Sequence, residues 1–279
     1  MLKVQWYPGH MTKAKRKLEE QIKTIDVVIE LRDARIPKSS DNPEIKKIIG
    51  NKGHIIVLNK MDLSSNEATA KWLNYFEKKN IKALAIKGTD KKGVKKILPI
   101  LDNMVNTIFS KRQNRGLLNR PLRCMVVGVS NVGKSSFINS LASKKMARTG
   151  NKPGVTKGNQ WITVTDKVQL LDTPGILWPK FEHNSGFYLA VTGAVSDLVY
   201  DTVEATLLLI DMLGERRLLK GKYDFYNGNS HTFLKAFSKK RGLLNTGGIV
   251  DINKGAILFM KDYREGKIGH FPLEMPPGN

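Results

Sequence analysis

The octapeptide GVSNVGKS, Gly128 to Ser135, constrains this chain more than any other stretch. It follows the apolar run CMVVG and precedes a helical pattern, so it reads as a tight loop between a buried strand and a helix. Its glycines let the backbone wrap an anion, and the N-terminus of the next helix turns free amides toward it. In this pattern Lys134 reaches terminal phosphates and the Ser135 hydroxyl binds magnesium. Ser130, Asn131, Val132, Gly133 and Ser136 complete the expected phosphate cradle. Such a loop belongs in an α/β fold, a mostly parallel sheet with helices on both faces. The chain supplies the strands: DVVIEL, HIIVL, IKALAI, CMVVG and VQLL end at or near Asp33, Asn59, Lys87, Gly128 and Asp172. Each polar motif thus follows a strand's C-terminal end, where open α/β sheets bind ligands.

Two more motifs lie downstream. LLDTPG offers Asp172, which approaches magnesium through water, and Gly175, whose amide meets a γ-phosphate. Between it and the phosphate loop, NKPGVTKG offers Thr156 as a sensor of γ-phosphate and magnesium. A fourth motif lies upstream, Asn59-Lys60-Met61-Asp62. The Asp62 carboxylate can accept from the guanine N1–H and 2-amino group, donors that adenine lacks, so the wrong base would leave it unpaired. Asn59 would contact the base and brace neighbouring loops, with the Lys60 stem over the ring. The alternative, an ordinary strand-to-helix turn, loses ground once a phosphate loop is present.

The motif order is rearranged, since base recognition precedes phosphate binding. Domain termini generally lie close together, so joining old ends and opening the chain elsewhere is tolerated. The joint here is the segment from about 91 to 123, which makes the domain a circular permutation. That motif order, with QWYPGHMTKAKRKL at the start and DARIPKSSDNP at 33 to 43, resembles the YlqF type, the ribosome-biogenesis GTPase A family. The likeness continues through LAVTGAVSD and KGAILFMKDYREGKIG, nearly the whole chain. It implies binding of GTP and GDP, hydrolysis of GTP, and a part in maturing the large ribosomal subunit from its rRNA and ribosomal-protein precursors. It also implies a helical C-terminal domain that engages RNA. One departure stands out. The guanine-supporting loop that usually reads Ser-Ala-Lys is here Lys87-Gly88-Thr89, with the Gly88 amide expected to meet the guanine oxygen.

Ile176 stands where many GTPases carry a water-orienting glutamine, and it can neither donate nor accept a hydrogen bond. Hydrolysis alone is therefore expected to be slow, about 10⁻⁴ to 10⁻³ s⁻¹. The permuted N-terminus suggests His10 as the group that orients water, against packing or capping as its plain role. Asn131 resembles the asparagine of GTPases that use potassium near the β and γ phosphates.

From about 183 the strand pattern ends, giving two expected domains, 1–182 and 183–279. DTVEATLLLIDMLG reads as a helix capped by Asp201 and stopped at Gly214. A helix over 251–266 would gather Ile252, Ala256, Phe259 and Tyr263 on one face, with Lys254, Lys261 and Arg264 toward the other. The formal charge is +22, and the 91–123 segment holds nine basic residues against one acidic. That excess points to a polyanion, RNA first and an anionic membrane second. No apolar run approaches a membrane helix, and the lone Cys124 lies in an apolar run. A cytoplasmic monomer that does not engage a membrane is the expectation. The leading reading is a switch triggered by the assembling subunit. Its competitors are a GTP-gated RNA-binding placeholder with incidental hydrolysis, and a P-loop ATPase with an accidental NKMD.

Overall fold

The computed structural model describes residues 2, 16, 18–142, 160–173 and 184–278. Six strands form one sheet: β1 (Val27–Asp33), β2 (Gly53–Asn59), β3 (Lys82–Ala85), β4 (Leu122–Val127), β5 (Gln160–Thr165) and β6 (Val168–Asp172). Their spatial order is β3-β2-β1-β4-β6-β5, all pairs parallel except the β5–β6 hairpin at one edge. Helices with described bounds are α1 (Pro43–Ile49), α2 (Asn66–Lys78), α3 (Lys91–Val94), α4 (Leu98–Gln113), α5 (Lys134–Leu141), α6 (Ser185–Val191), α7 (Thr202–Glu215), α8 (Ser230–Lys240) and α9 (Ile252–Arg264).

The strand-rich runs are buried on both faces because helices cover both. Every residue of β1 is buried, and the alternation of a parallel strand divides them between two layers. Val28 shares one layer with Met125, Val127 and Leu171, against Ile45 and Ile49 of α1. On the same face Ile56 and Leu58 meet Trp72 and Phe76 of α2. On the opposite face α4 closes in so tightly that a Cβ at Gly53 would lie 2.8 Å from the Met104 methyl. Cys124 is a core residue, its thiol pushed up well above the usual range by burial. Local sequence places several helix starts: Asn42 caps α1 ahead of Pro43, Ser65 caps α2, and Asp201 caps α7.

The topology gives the permutation a spatial meaning. From β1 the chain builds outward through β2 to β3, then returns past β3 to lay β4 on the other side of β1. Loops leaving β1 and β4 therefore diverge, and the crevice at their carboxyl ends is the topological switch point. The long return runs through α3 and α4, the segment read as the joint.

By packing, the chain divides into two compact units, one of residues 7–180 with 270–279, the other of 181–269 with 1–6. The last ten residues thus fall in the sheet-bearing unit, whereas the sequence pattern runs the helical domain to 279. In the helical unit, α7, α8 and α9 pack around Phe233, Phe237 and Phe259; the first two rings stack, and each meets Phe259 edge to face. Gly214 does not stop α7, which continues to Glu215 before Arg217 turns left-handed at φ 57°. The glycine is there because a Cβ would overlap the Tyr226 hydroxyl at 1.6 Å. Gly255 likewise lets α9 meet Ser238 of α8, where a Cβ would lie 1.8 Å from Oγ. The apolar face of α9 forms as expected, with Ala256, Phe259 and Tyr263 buried. Arg264 departs from the expected outer basic stripe. It donates to the Ala190 and Val191 carbonyls and pairs with Asp197 at 2.8 Å. Among the described residues, no helix is long and apolar enough to cross a membrane.

Candidate guanine-nucleotide site

Three loops at the carboxyl end of the sheet are tied together by one side chain. Asn59, the last residue of β2, is buried. Its Nδ2 donates to the Val132 carbonyl in the phosphate loop at 2.7 Å. Its Oδ1 accepts from the amides of Gly88 at 2.7 Å and Lys60 at 2.8 Å. A residue 73 positions before Val132 thus joins the loops after β2, β3 and β4. The bracing read from the sequence is present, and it corrects one detail: the Gly88 amide, expected for a guanine oxygen, is donated to Asn59. The α5 residue Ser140 fixes the same loop by donating to the Gly88 carbonyl at 2.7 Å. Nothing in the local pattern KSSFINSL marks Ser140 for that role, because its partner lies 52 residues away.

The phosphate loop needs its glycines for two reasons. Gly128 has φ 148° and Gly133 φ 101°, in the half of backbone space that side chains disfavour. A Cβ on Gly128 would lie 2.4 Å from the Leu31 carbonyl, and one on Gly133 would lie 2.3 Å from Asn59 Nδ2. The second glycine therefore makes room for the brace as well as for an anion. Asn131 is left-handed too, at φ 55°. Val132 is buried, while Ser130, Ser135 and Ser136 stay partly open at the start of α5. Lys134 opens α5 and is buried, its ammonium donating to the Gly128 and Val129 carbonyls at 3.1 and 3.0 Å. Burial pulls its pKa down to about 8, against the pull of Asp172.

Asp172, the last residue of β6, is buried, and burial raises its carboxyl despite Lys134. Its Oδ1 has no hydrogen-bond partner among the described residues. A buried carboxylate oxygen with no protein partner among the described residues is a hard oxygen donor of the kind that suits magnesium. The residues present fit that ion.

Around the Asn59–Asp62 segment two lysines take separate partners. Lys60 adopts a left-handed conformation at φ 59°, and its ammonium pairs with buried Asp33 at 3.2 Å. Lys87 pairs with Asp62 at 3.4 Å, both side chains partly exposed. Arg32 and Arg35, whose purpose the sequence leaves open, both brace the end of β1. Arg32 grips Glu30 with two bonds of 3.0 Å and Asp41 with one of 2.8 Å. Arg35 grips Asp33 with bonds of 3.0 and 2.8 Å. His10, Thr156 and Gly175, with Ile176, lie outside the described residues.

A model of the 50S ribosome-binding GTPase family matches residues 123–244. That match starts at the phosphate-loop strand and leaves Asn59–Asp62 ahead of it, as the permuted order requires. The chain is 43% identical to the ribosome biogenesis GTPase A of Priestia megaterium, over 98% of this chain and 97% of that one. It is similar to a GDP-bound YlqF structure, with a TM-score of 0.71 and 26% identity over 94% of this chain and 99% of that one. A GNP-bound YlqF from T. maritima gives a TM-score of 0.70 and 27% identity over 95% and 99%. The fold, the permuted motif order and these likenesses converge, and the chain belongs to the ribosome biogenesis GTPase A family.

Proposed function

We propose that this GTPase is a switch in late assembly of the large ribosomal subunit, hydrolysing GTP slowly alone and faster on the subunit. The observation that carries the nucleotide reading is the Asn59 hub, which links the base loop to the phosphate loop through Val132 and Gly88. In this reading Asp62 accepts from the guanine N1–H and 2-amino group, the Lys60 stem flanks the ring, and Lys87 and Gly88 shape the pocket's rim. Lys134 neutralises charge developing on the β and γ phosphates, while the amides of Ser130 to Ser136 and Gly175 hold the phosphates. Ser135, Thr156 and, through water, Asp172 would hold magnesium, which screens the triphosphate. Asn131 is the proposed potassium contact, and turnover in potassium against sodium salts tests it.

His10 is proposed to orient the attacking water, since Ile176 has no chemistry for that task. If His10→Ala leaves subunit-stimulated turnover unchanged while GTP binding is normal, that role is wrong. The domain partition at 182/183 is proposed as the functional one, with the helical part engaging rRNA or ribosomal proteins. The +22 charge supports a polyanionic partner. The proposed setting is a monomer in the cytoplasm, with no membrane partner. GTP turnover measured with and without large subunits and their precursors tests the whole reading. Stimulation of about 10³-fold or more is expected if the subunit completes the catalytic site. Turnover indifferent to the subunit would favour the placeholder reading instead.

A further inference from the structure

We infer that Leu273 and Glu274, near the end of the chain, position the guanine-reading loop, with Glu274 as the anchoring side chain. The inference rests on the reading of Asn59–Asp62 as the base site. The backbone amides of Leu273 and Glu274 both donate to the Arg35 carbonyl, at 2.9 and 3.2 Å. The Glu274 carboxylate accepts from the amides of Lys38 and Ser39 at 2.8 and 3.0 Å, and from the Ser39 hydroxyl. Its carbonyl accepts from the indole of Trp72 in α2 at 3.2 Å. The Leu273 side chain is buried. The segment therefore clips the loop after β1 from both its backbone and its side-chain sides.

That loop leads directly to the base site. Arg35 occupies both carboxylate oxygens of Asp33, and Asp33 Oδ2 also takes the Lys60 ammonium at 3.2 Å. Lys60 needs this hold, because a left-handed backbone at φ 59° is disfavoured for a lysine and must be fixed by its surroundings. The relay runs from Glu274 to the 35–39 loop, to Arg35, to Asp33 and to Lys60. Apart from the contact at exposed Lys38, each non-covalent link is a hydrogen bond or ion pair between buried or half-buried groups. A burial-raised Glu274 carboxyl, compensated by two amides and a hydroxyl, fits an anchor and not a solvated tail. Glu274 is a positioning residue and touches no nucleotide itself.

The test uses the full chain and the affinity for GDP measured by calorimetry. Glu274→Ala should weaken GDP binding by about 3- to 10-fold, the scale of removing a single ion pair at Lys60. Lys60→Ala should weaken it as well, and the double variant should be no weaker than Lys60→Ala alone. Glu274→Gln keeps one acceptor oxygen and should recover most of the affinity, which also guards against a folding defect. Effects that multiply in the double variant would mean Glu274 serves the fold alone, and would overturn the inference. So would an unchanged affinity in Glu274→Ala. Asp62→Asn in the same assay separates the two layers. If it too leaves GDP affinity unchanged, the base-site reading falls and the relay with it. If it weakens binding and Glu274→Ala does not, only the relay falls.

Discussion

At the end of β1, Glu30, Arg32, Asp33 and Arg35 are all buried, and every carboxylate oxygen among them meets a cationic or imidazole nitrogen. At the ends of β4 and β6, Lys134 and Asp172 are also buried, yet Lys134 spends its ammonium on carbonyls and Asp172 Oδ1 has no partner among the described residues. The ionisation of the two clusters follows that difference. Burial alone would raise Glu30, but Arg32 and His54 hold it down at about 2, and Arg35 and Lys60 hold Asp33 far below the usual range. In the second cluster burial wins, raising Asp172 and lowering Lys134 to about 8. A closed ionic cluster fixes the shape of a strand end. An open one leaves charge unsatisfied, the kind of environment in which perturbed groups signal function. The carboxyl end of one sheet thus carries the same residue types in a closed and an open arrangement.

The comparison predicts opposite responses to mutation. Breaking the closed cluster should have the largest effect: Arg32→Leu strands Glu30 in the core and should cost about 3–5 kcal/mol, read as a lowered denaturant midpoint. Gly133→Ala should come next, because its Cβ would meet Asn59 Nδ2 at 2.3 Å. Displacing that buried donor should weaken GDP binding by about 1–3 kcal/mol in a direct titration. Asp172→Asn should do the reverse to stability, raising it by about 0.5–2 kcal/mol while magnesium-dependent GTP turnover disappears. If Asp172→Asn lowers stability as Arg32→Leu does, the two clusters are not built on different rules.

Acid probes the closed cluster by another route. Glu30 has a carboxyl depressed from 4.5 to about 2, so its contribution is fully present above pH 4.5 and lost as pH falls toward 2. Stability measured across that window should decline in the native chain. The Glu30→Gln/Arg32→Leu pair, lacking the titrating carboxylate and its guanidinium partner, should decline less.

How far the sequence alone reaches depends on distance along the chain. Strand ends at Asp33, Asn59 and Asp172 are legible because apolar runs stop there in polar, turn-forming residues. The phosphate loop is legible because the positive φ of its glycines is a local requirement, even though Leu31 and Asn59 also demand them from afar. The cap at Asp201 is legible for the same reason, since its partner amide is only three residues on. Gly214 reads as a stop because glycine's usual meaning is local, whereas here it answers Tyr226 from another segment. Arg264 looks like a surface cation, and only packing brings Asp197 to it across 67 residues. The clip by Glu274 reaches back 235 residues to Ser39, through a segment with no periodicity to announce it. Gly88 and Asn59 fall between these cases: both loops are expected at the site, but which atom pairs with which needs the fold.

Guanine recognition by an Asp62 that precedes the phosphate loop in the chain is the central claim, and one experiment addresses it directly. GDP and XDP are titrated into the native chain and into Asp62→Asn. A carboxylate that reads the N1–H and the 2-amino group should favour GDP strongly, on a scale reaching about 10⁴ where both donors are missing. An amide at the same place donates to the 2-oxo group of xanthine, so preference should move to XDP in the variant. A variant that still prefers GDP to the same degree would contradict Asp62 as the base reader.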